Sequence, residues 1–169
     1  MPAESSKLTL ADKAAVLEAI PDHPAIKAIL EWNPAALEDA KFDRAELTLT
    51  IARDAIRDVA ATVQAAGYNF FEDMTAVDWF PSEPRFQLSY QILSHAFKDY
   101  IRLRVLVDGA DPVVDSITPV WPSANYYERE VFDLFGVRFA GHPNLRRIMM
   151  PDEWKGHPLR KDYPVEGYR

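Results

Sequence analysis

The sequence predicts an α+β domain, a mainly antiparallel or mixed sheet of about four strands with two or three helices on one face, followed by an extended irregular C-terminal arm. Three observations carry this. Segments that alternate apolar and polar residues stand beside segments with apolar residues every three to four positions. Turn residues punctuate them at short intervals, and both periods stop after residue 137. The domain is therefore read as residues 1–137, opening with a helical segment over 1–43, and the arm as residues 138–169.

Residues 9–20 carry Leu10, Ala14, Val16, Leu17 and Ile20 at helical spacing, with Thr9 in the capping position. A turn, Pro21-Asp22-His23-Pro24, interrupts the helix, and residues 25–32 form a second helical piece that ends before Pro34. His23 reads as a turn residue. Residues 46–51, Glu-Leu-Thr-Leu-Thr-Ile, alternate and predict a first strand. Residues 53–66 place Ile56, Val59, Ala60, Val63 and Ala66 on one helical face, with Gly67 just past the end.

Residues 70–79 predict a second strand, closed by Pro81-Ser82-Glu83-Pro84; Glu72, Asp73 and Asp78 read as strand-end hydrogen-bond acceptors. The clearest alternation lies in residues 85–94 (Phe86, Leu88, Tyr90, Ile92) and 100–107 (Ile101, Leu103, Val105, Val107), joined as an antiparallel hairpin by a loop in which His95 is solvated. Pro119 and Pro122 then keep residues 118–122 extended and out of any sheet interior. Residues 124–135 lack Gly and Pro, follow the start signals Ser123 and Asn125, and precede Gly136 at the left-handed C-terminal position, so they predict a helix. Its apolar stripe is Tyr127, Val131, Leu134 and Phe135.

The opposite side of that helix carries Glu128, Arg129, Glu130 and Asp133. Composition leaves two readings open: a solvated face with an Arg129/Asp133 pair one turn apart, or carboxylates that anchor arginines of another segment or another chain.

Bulk properties narrow the function. A chain of 169 residues suits one domain, 48% hydrophobic residues is ordinary for a soluble protein, and no apolar run is long enough to cross a bilayer. Residues 1–7 lack the basic-then-apolar pattern of a secretory signal. There is no cysteine, hence no thiolate for an iron–sulfur cluster and no disulfide. Residues 1–137 hold 12 basic and 22 acidic residues, net −10, whereas residues 138–169 hold 7 and 4, net +3. An acidic body with a basic arm argues against nucleic-acid binding and suits an arm that docks on an acidic protein surface. No dinucleotide fingerprint, Walker loop, nucleophile elbow or His-Glu-x-x-His occurs, so the chain offers no site of its own for NADH, flavin or a cluster.

The arm contains prolines at 143, 151, 158 and 164, which break helices and central strands; only residues 152–155 are free to make a helical turn. Its 32 residues span at most about 100 Å when extended. Phe139, Leu145, Ile148, Met149, Met150, Trp154, Leu159, Tyr163 and Tyr168 are too much apolar surface to leave in water, so another polypeptide is expected to cover it. Arg146, Arg147, Arg160 and Lys161 are expected to pair with carboxylates, Glu128, Glu130 or Asp133 among them. The Gly-His-Pro units at 141–143 and 156–158 also admit a zinc reading, a small metal-dependent hydrolase in which His142 and His157 join Asp133 or Glu130. Without close helical spacing, tight turns explain them more simply.

One resemblance ties these features together. Glu128-Arg129-Glu130, Asp133, two apolar residues, then His142, Arg146 and Ile148-Met149 at their spacings resemble the signature of the thirty-kilodalton subunit family of respiratory complex I, the C subunit of the bacterial NADH:quinone oxidoreductase. The flanking blocks at residues 71–79, 117–121, 141–143 and 156–164 are similar to the family as well, and the likeness is dense from Phe70 to Pro164. It implies a core subunit of the peripheral arm of a proton-translocating complex, on the cytoplasmic side of the inner membrane. The membrane would be reached only through partners, the forty-nine-kilodalton-type subunit and the subunit with the terminal cluster. NADH, flavin, iron–sulfur clusters and quinone would be bound by partner subunits, with no catalytic, cofactor or metal residue here. The expected partner-binding residues are Glu128, Arg129, Glu130, Asp133, His142, Arg146, Arg147, Trp154, His157, Arg160, Lys161, Asp162 and Tyr163. Related hydrogenase complexes and complexes fed by ferredoxin or a deazaflavin use similar subunits, and an adaptor outside any redox complex is a further reading.

Overall fold

Alternation in the long strands fixes one face of a six-stranded sheet. In the computed structural model, which describes residues 9–168, the chain runs β1 (Thr9–Leu10), α1 (Lys13–Ala19), α2 (Pro24–Trp32), β2 (Leu37–Asp43), β3 (Glu46–Ile51), α3 (Ile56–Ala65), β4 (Phe70–Asp78), β5 (Phe86–Ser94), β6 (Asp99–Val107), β7 (Val113–Asp115), α4 (Ala124–Phe135) and β8 (Arg138–Ala140). Residues 1–7, read above for a secretory pattern, lie outside the described residues.

The strand order is β1-β2-β3-β6-β5-β4, antiparallel except for the parallel pair β3/β6. Register carries single apolar rows across the sheet. Leu49 lies opposite Leu103, Leu103 opposite Tyr90 and Tyr90 opposite Met74, and all four are buried. A second row joins Leu47, Ile101, Ile92 and Phe71 in the same way. The buried residues Ile26, Ile29, Ile56, Val59, Val63, Val131 and Leu134 of α2, α3 and α4 belong to the same core. Among the described residues, no helix is long and apolar enough to cross a membrane.

The α+β class holds, with six strands in the main sheet and four α-helices rather than about four and two or three. The strand missed in the sequence, β2, reads Leu-Glu-Asp-Ala-Lys-Phe-Asp, and a register shift between Leu37 and Asp39 breaks its two-residue alternation. Its hairpin to β3 turns through Arg44 and Ala45, both at positive φ, without the Gly or Asn that normally signals such a turn. At the amino end, Thr9 is a strand residue. Asp12 caps α1 instead, accepting the Ala15 N–H at 2.9 Å.

His23 does more than turn the chain. Its Nε2 lies 3.1 Å from Asp99 Oδ2, and the buried Tyr68 hydroxyl donates to the same oxygen at 2.7 Å, tying the start of α2 to the start of β6. His95 is exposed in the β5–β6 loop, its ring edge-on to Phe70. The second sheet is a parallel pair, β7/β8, with Val114 opposite the buried Phe139, so the first residues of the arm pair with the domain.

Leu103 sits fully buried in the central row. Leu103→Ala is expected to lower the unfolding free energy by about 2–5 kcal/mol, read as a lower urea midpoint with an unchanged m-value.

Candidate functional site

Helix α4 is the platform from which the arm is hung. Ser123 has helical dihedrals and makes no capping side-chain bond, so the start signal expected there is not used; the Ala124 N–H instead donates to the Trp121 carbonyl at 3.0 Å. The helix ends as expected at Gly136, φ 74°, whose N–H returns to Phe132 O at 2.9 Å. A Cβ at Gly136 would come within 2.6 Å of both His157 and Arg160, so the glycine is also required for the arm to pass.

Glu128 and Asp133 are fully buried, which corrects the reading of a solvated polar face. Glu128 accepts the Ser116 hydroxyl at 2.6 Å and the Ile117 N–H at 2.7 Å, fastening α4 to the extended segment after β7. Burial pushes its carboxyl up to about 7, against the pull of those two donors. The enclosed His142 ring lies 4.0 Å from Glu128, but its Nδ1 accepts the Asn144 N–H. The ring is therefore neutral and donates from Nε2 to Asn125 O at 3.2 Å, so the contact is no ion pair; burial holds the imidazole below its ordinary value.

Asp133 organises residues 146–150. Its Oδ2 accepts three successive N–H groups, Ile148 at 2.9 Å and Met149 and Met150 at 2.8 Å, while Oδ1 takes the Arg147 guanidinium. Burial would raise this carboxyl, but the Met150 N–H, Arg147 and the other two amides outweigh it and lower it. Arg147 also reaches the carbonyls of Trp154 and Gly156. Arg129 does not pair with Asp133 as the helical spacing suggested. It donates to the carbonyls of Arg146 and Arg147, at 3.1 and 3.0 Å, so the same loop is held from its acceptor side too.

Residues 157–163 close onto the sheet. His157 Nδ1 donates to Asp133 O at 2.9 Å, and Arg160 donates to Phe135 O while its guanidinium lies over the Phe86 ring. Arg85 at the start of β5 is the hub. It makes a two-pronged pair with the buried Asp78 (2.9 and 2.8 Å) and another with Asp162 (3.0 and 2.6 Å). Burial would raise Asp78, but Arg85 and the N–H groups of Lys161 and Phe80 hold it down at about 2. Tyr163 donates to Lys155 O at 3.3 Å and meets Tyr168 edge-on.

Of the thirteen residues singled out, these contacts bring together Arg129, Asp133, Arg146, Arg147, Trp154 and His157 in one group. Arg160, Lys161 and Asp162 form a second group around Arg85, Tyr163 bonds to Lys155 within the arm, Glu128 and His142 sit under α4, and Glu130 is exposed. Residues 152–155 form turns, not a helix. His142, His157 and Asp133 do not converge; among the described residues no group of three or more His, Asp or Glu is placed to hold a metal ion, so the hydrolase constellation does not form. Sequence reasoning missed Arg85, because no local rule links it to an aspartate 77 residues away. It also missed Ser116, whose only signal was its place before the quoted block at 117–121.

Phe139, Leu145 and Met150 of the arm pack against the core, whereas Met149, Leu159, Trp154, Ile148 and Tyr168 are exposed. Residues 49–169 match the family described as respiratory-chain NADH dehydrogenase, 30 Kd subunit. The chain belongs to that family. Relatives named as the C subunit of NADH-quinone oxidoreductase include one from Geobacter sulfurreducens, 45% identical over 145 residues that cover 85% of this chain and 90% of the relative. Another from Roseiflexus sp. (strain RS-1) is 44% identical, covering 81% and 83%. Among solved structures, the trypsin-resistant fragment (1–134) of Nqo5 is similar at 34% identity with TM-score 0.56, over 59% of this chain and 83% of that one. A chain of the membrane-bound sulfane sulfur reductase, an archaeal respiratory membrane complex, is similar at 28% identity with TM-score 0.71, over 83% and 84%. The 30 kDa family match thus spans every contact described for α4 and the arm.

Because the folded value of Glu128 lies above its ordinary 4.5, its contribution to stability is full below about pH 4.5 and is lost as pH rises through about 7. The difference in unfolding free energy between wild type and Glu128→Gln is expected to fall by on the order of 3 kcal/mol from pH 5 to 8, the neutral His142 and His157 acting the opposite way in both proteins.

Proposed function

We propose that this chain is a scaffold subunit in the peripheral arm of a proton-translocating NADH:quinone oxidoreductase. In this reading residues 138–169 pack against the forty-nine-kilodalton-type subunit and the subunit bearing the terminal iron–sulfur cluster. Those partners and others hold NADH, flavin, clusters and quinone. This chain contributes surface and no active site, and it reaches the cytoplasmic face of the inner membrane through the complex. The observation that carries the reading is the packing of the arm, in which polar groups turn inward on Asp133, Arg85 and backbone while Ile148, Met149, Trp154, Leu159 and Tyr168 stay exposed, on a member of the 30 kDa family. Exposed apolar clusters of this kind mark protein interfaces.

The likeness to the archaeal sulfane sulfur reductase chain favours a second reading, the equivalent subunit of a related membrane complex with another electron donor. Purification of a tagged chain from detergent-solubilised membranes separates the two. The first reading expects flavin and iron–sulfur clusters in the eluate together with NADH-driven quinone reduction. A cluster-bearing complex inert to NADH supports the second, and an eluate without clusters sinks both.

A further inference from the structure

Residues 146–150 combine a backbone fixed on both sides with two exposed apolar side chains, Ile148 and Met149, while Arg147 and Met150 are partly buried. The three N–H groups of Ile148, Met149 and Met150 end on Asp133, and the carbonyls of Arg146 and Arg147 end on Arg129. Asp133 is 0% exposed, yet Ile148 is 39% and Met149 58% exposed. Hydrogen bonds fix the backbone of the loop without burying Ile148 or Met149. Arg146 is exposed beside them and makes no ion pair among the described residues, which leaves its guanidinium open to a carboxylate on another surface.

We infer that residues 146–150 form a preshaped prong, in which Ile148 and Met149 enter an apolar pocket on a neighbouring protein subunit whose rim carries carboxylates for Arg146. The inference rests on the docking role proposed above and names the part of the arm that docks and the chemistry of the surface that receives it. Preshaping matters because a loop already fixed loses little conformational freedom on binding, and one or two apolar anchors in a pocket then dominate affinity. Methionine suits a pocket of irregular shape. A protein occupant is favoured over an anionic bilayer, since Asp152 and Glu153 closely follow the prong and residues 1–137 carry net charge −10.

The test uses the assembled complex. A photoreactive benzoylphenylalanine in place of Met149 is expected to cross-link to an apolar segment of another subunit flanked by Asp or Glu. Cross-linking to lipid, to a second copy of this chain, or only to polar surface overturns the inference. In parallel, the exposed double variant Ile148→Ser, Met149→Ser is expected to keep the urea midpoint of the wild type and to recover partner subunits at least about ten-fold less from solubilised membranes. Undiminished recovery overturns the prong. Should the wild type bring down an identified partner from another complex, and the variant lose it, the assignment to an NADH-linked complex fails while the prong stands.

Discussion

One buried carboxylate decides the shape of the second half of the chain. Asp133 satisfies three consecutive amides and an arginine with two oxygens, and its own carbonyl receives both Arg147 and His157. A fully buried anion is tolerated only where such donors replace water. The dependence also runs the other way. The segment from Arg146 to His157 has no secondary structure to hold its backbone, and α4 supplies what a sheet would otherwise provide.

The second hub, Arg85, acts just beyond that segment, at Asp162. It is held between two aspartates and flanked by the Phe80 and Phe86 rings at 4.9 and 5.0 Å, so its charge is matched and its flat faces are packed. Lys161 adds its amide to Asp78, and its ammonium lies 6.0 Å from the centre of the exposed Trp79 ring. Much of the polar content of residues 138–169 is thus matched by the body of the chain. Of the apolar residues in the same stretch, Phe139, Leu145 and Met150 pack on that body, while Ile148, Met149, Trp154, Leu159 and Tyr168 stay exposed.

Legibility in the sequence followed the range of each interaction. β5, β6, α3 and α4 were readable because their periods repeat within ten residues. β2 was not, since a bulge cancels its alternation and an Arg-Ala turn carries no glycine signal. At the site, the resemblance selected Glu128, Asp133, His142 and Arg146 without saying what they touch. Composition leaves open whether Glu128 and Asp133 are solvated or anchoring, because a buried carboxylate met by amides looks no different in sequence from a solvated one. The expectation that arm arginines seek carboxylates describes Arg147 with Asp133. Arg160 and Arg129 chose carbonyl oxygens, which no residue pattern records.

The single parallel contact in the main sheet, β3 against β6, divides it into two three-stranded meanders, β1-β2-β3 and β6-β5-β4. The β6-β5-β4 meander closes over short loops and β2 turns directly into β3, whereas α1 and α2 separate β1 from β2. The seam joins Leu47 to Ile101, more than fifty residues apart, at a greater cost in chain entropy. In a nascent chain the β2/β3 hairpin is complete by residue 51, but both the seam and the β6-β5-β4 meander wait for β6 to be made. Once closed, the seam is reinforced by side chains that cross it, Arg102 to Glu46 and Arg104 to Thr50 and Asp39.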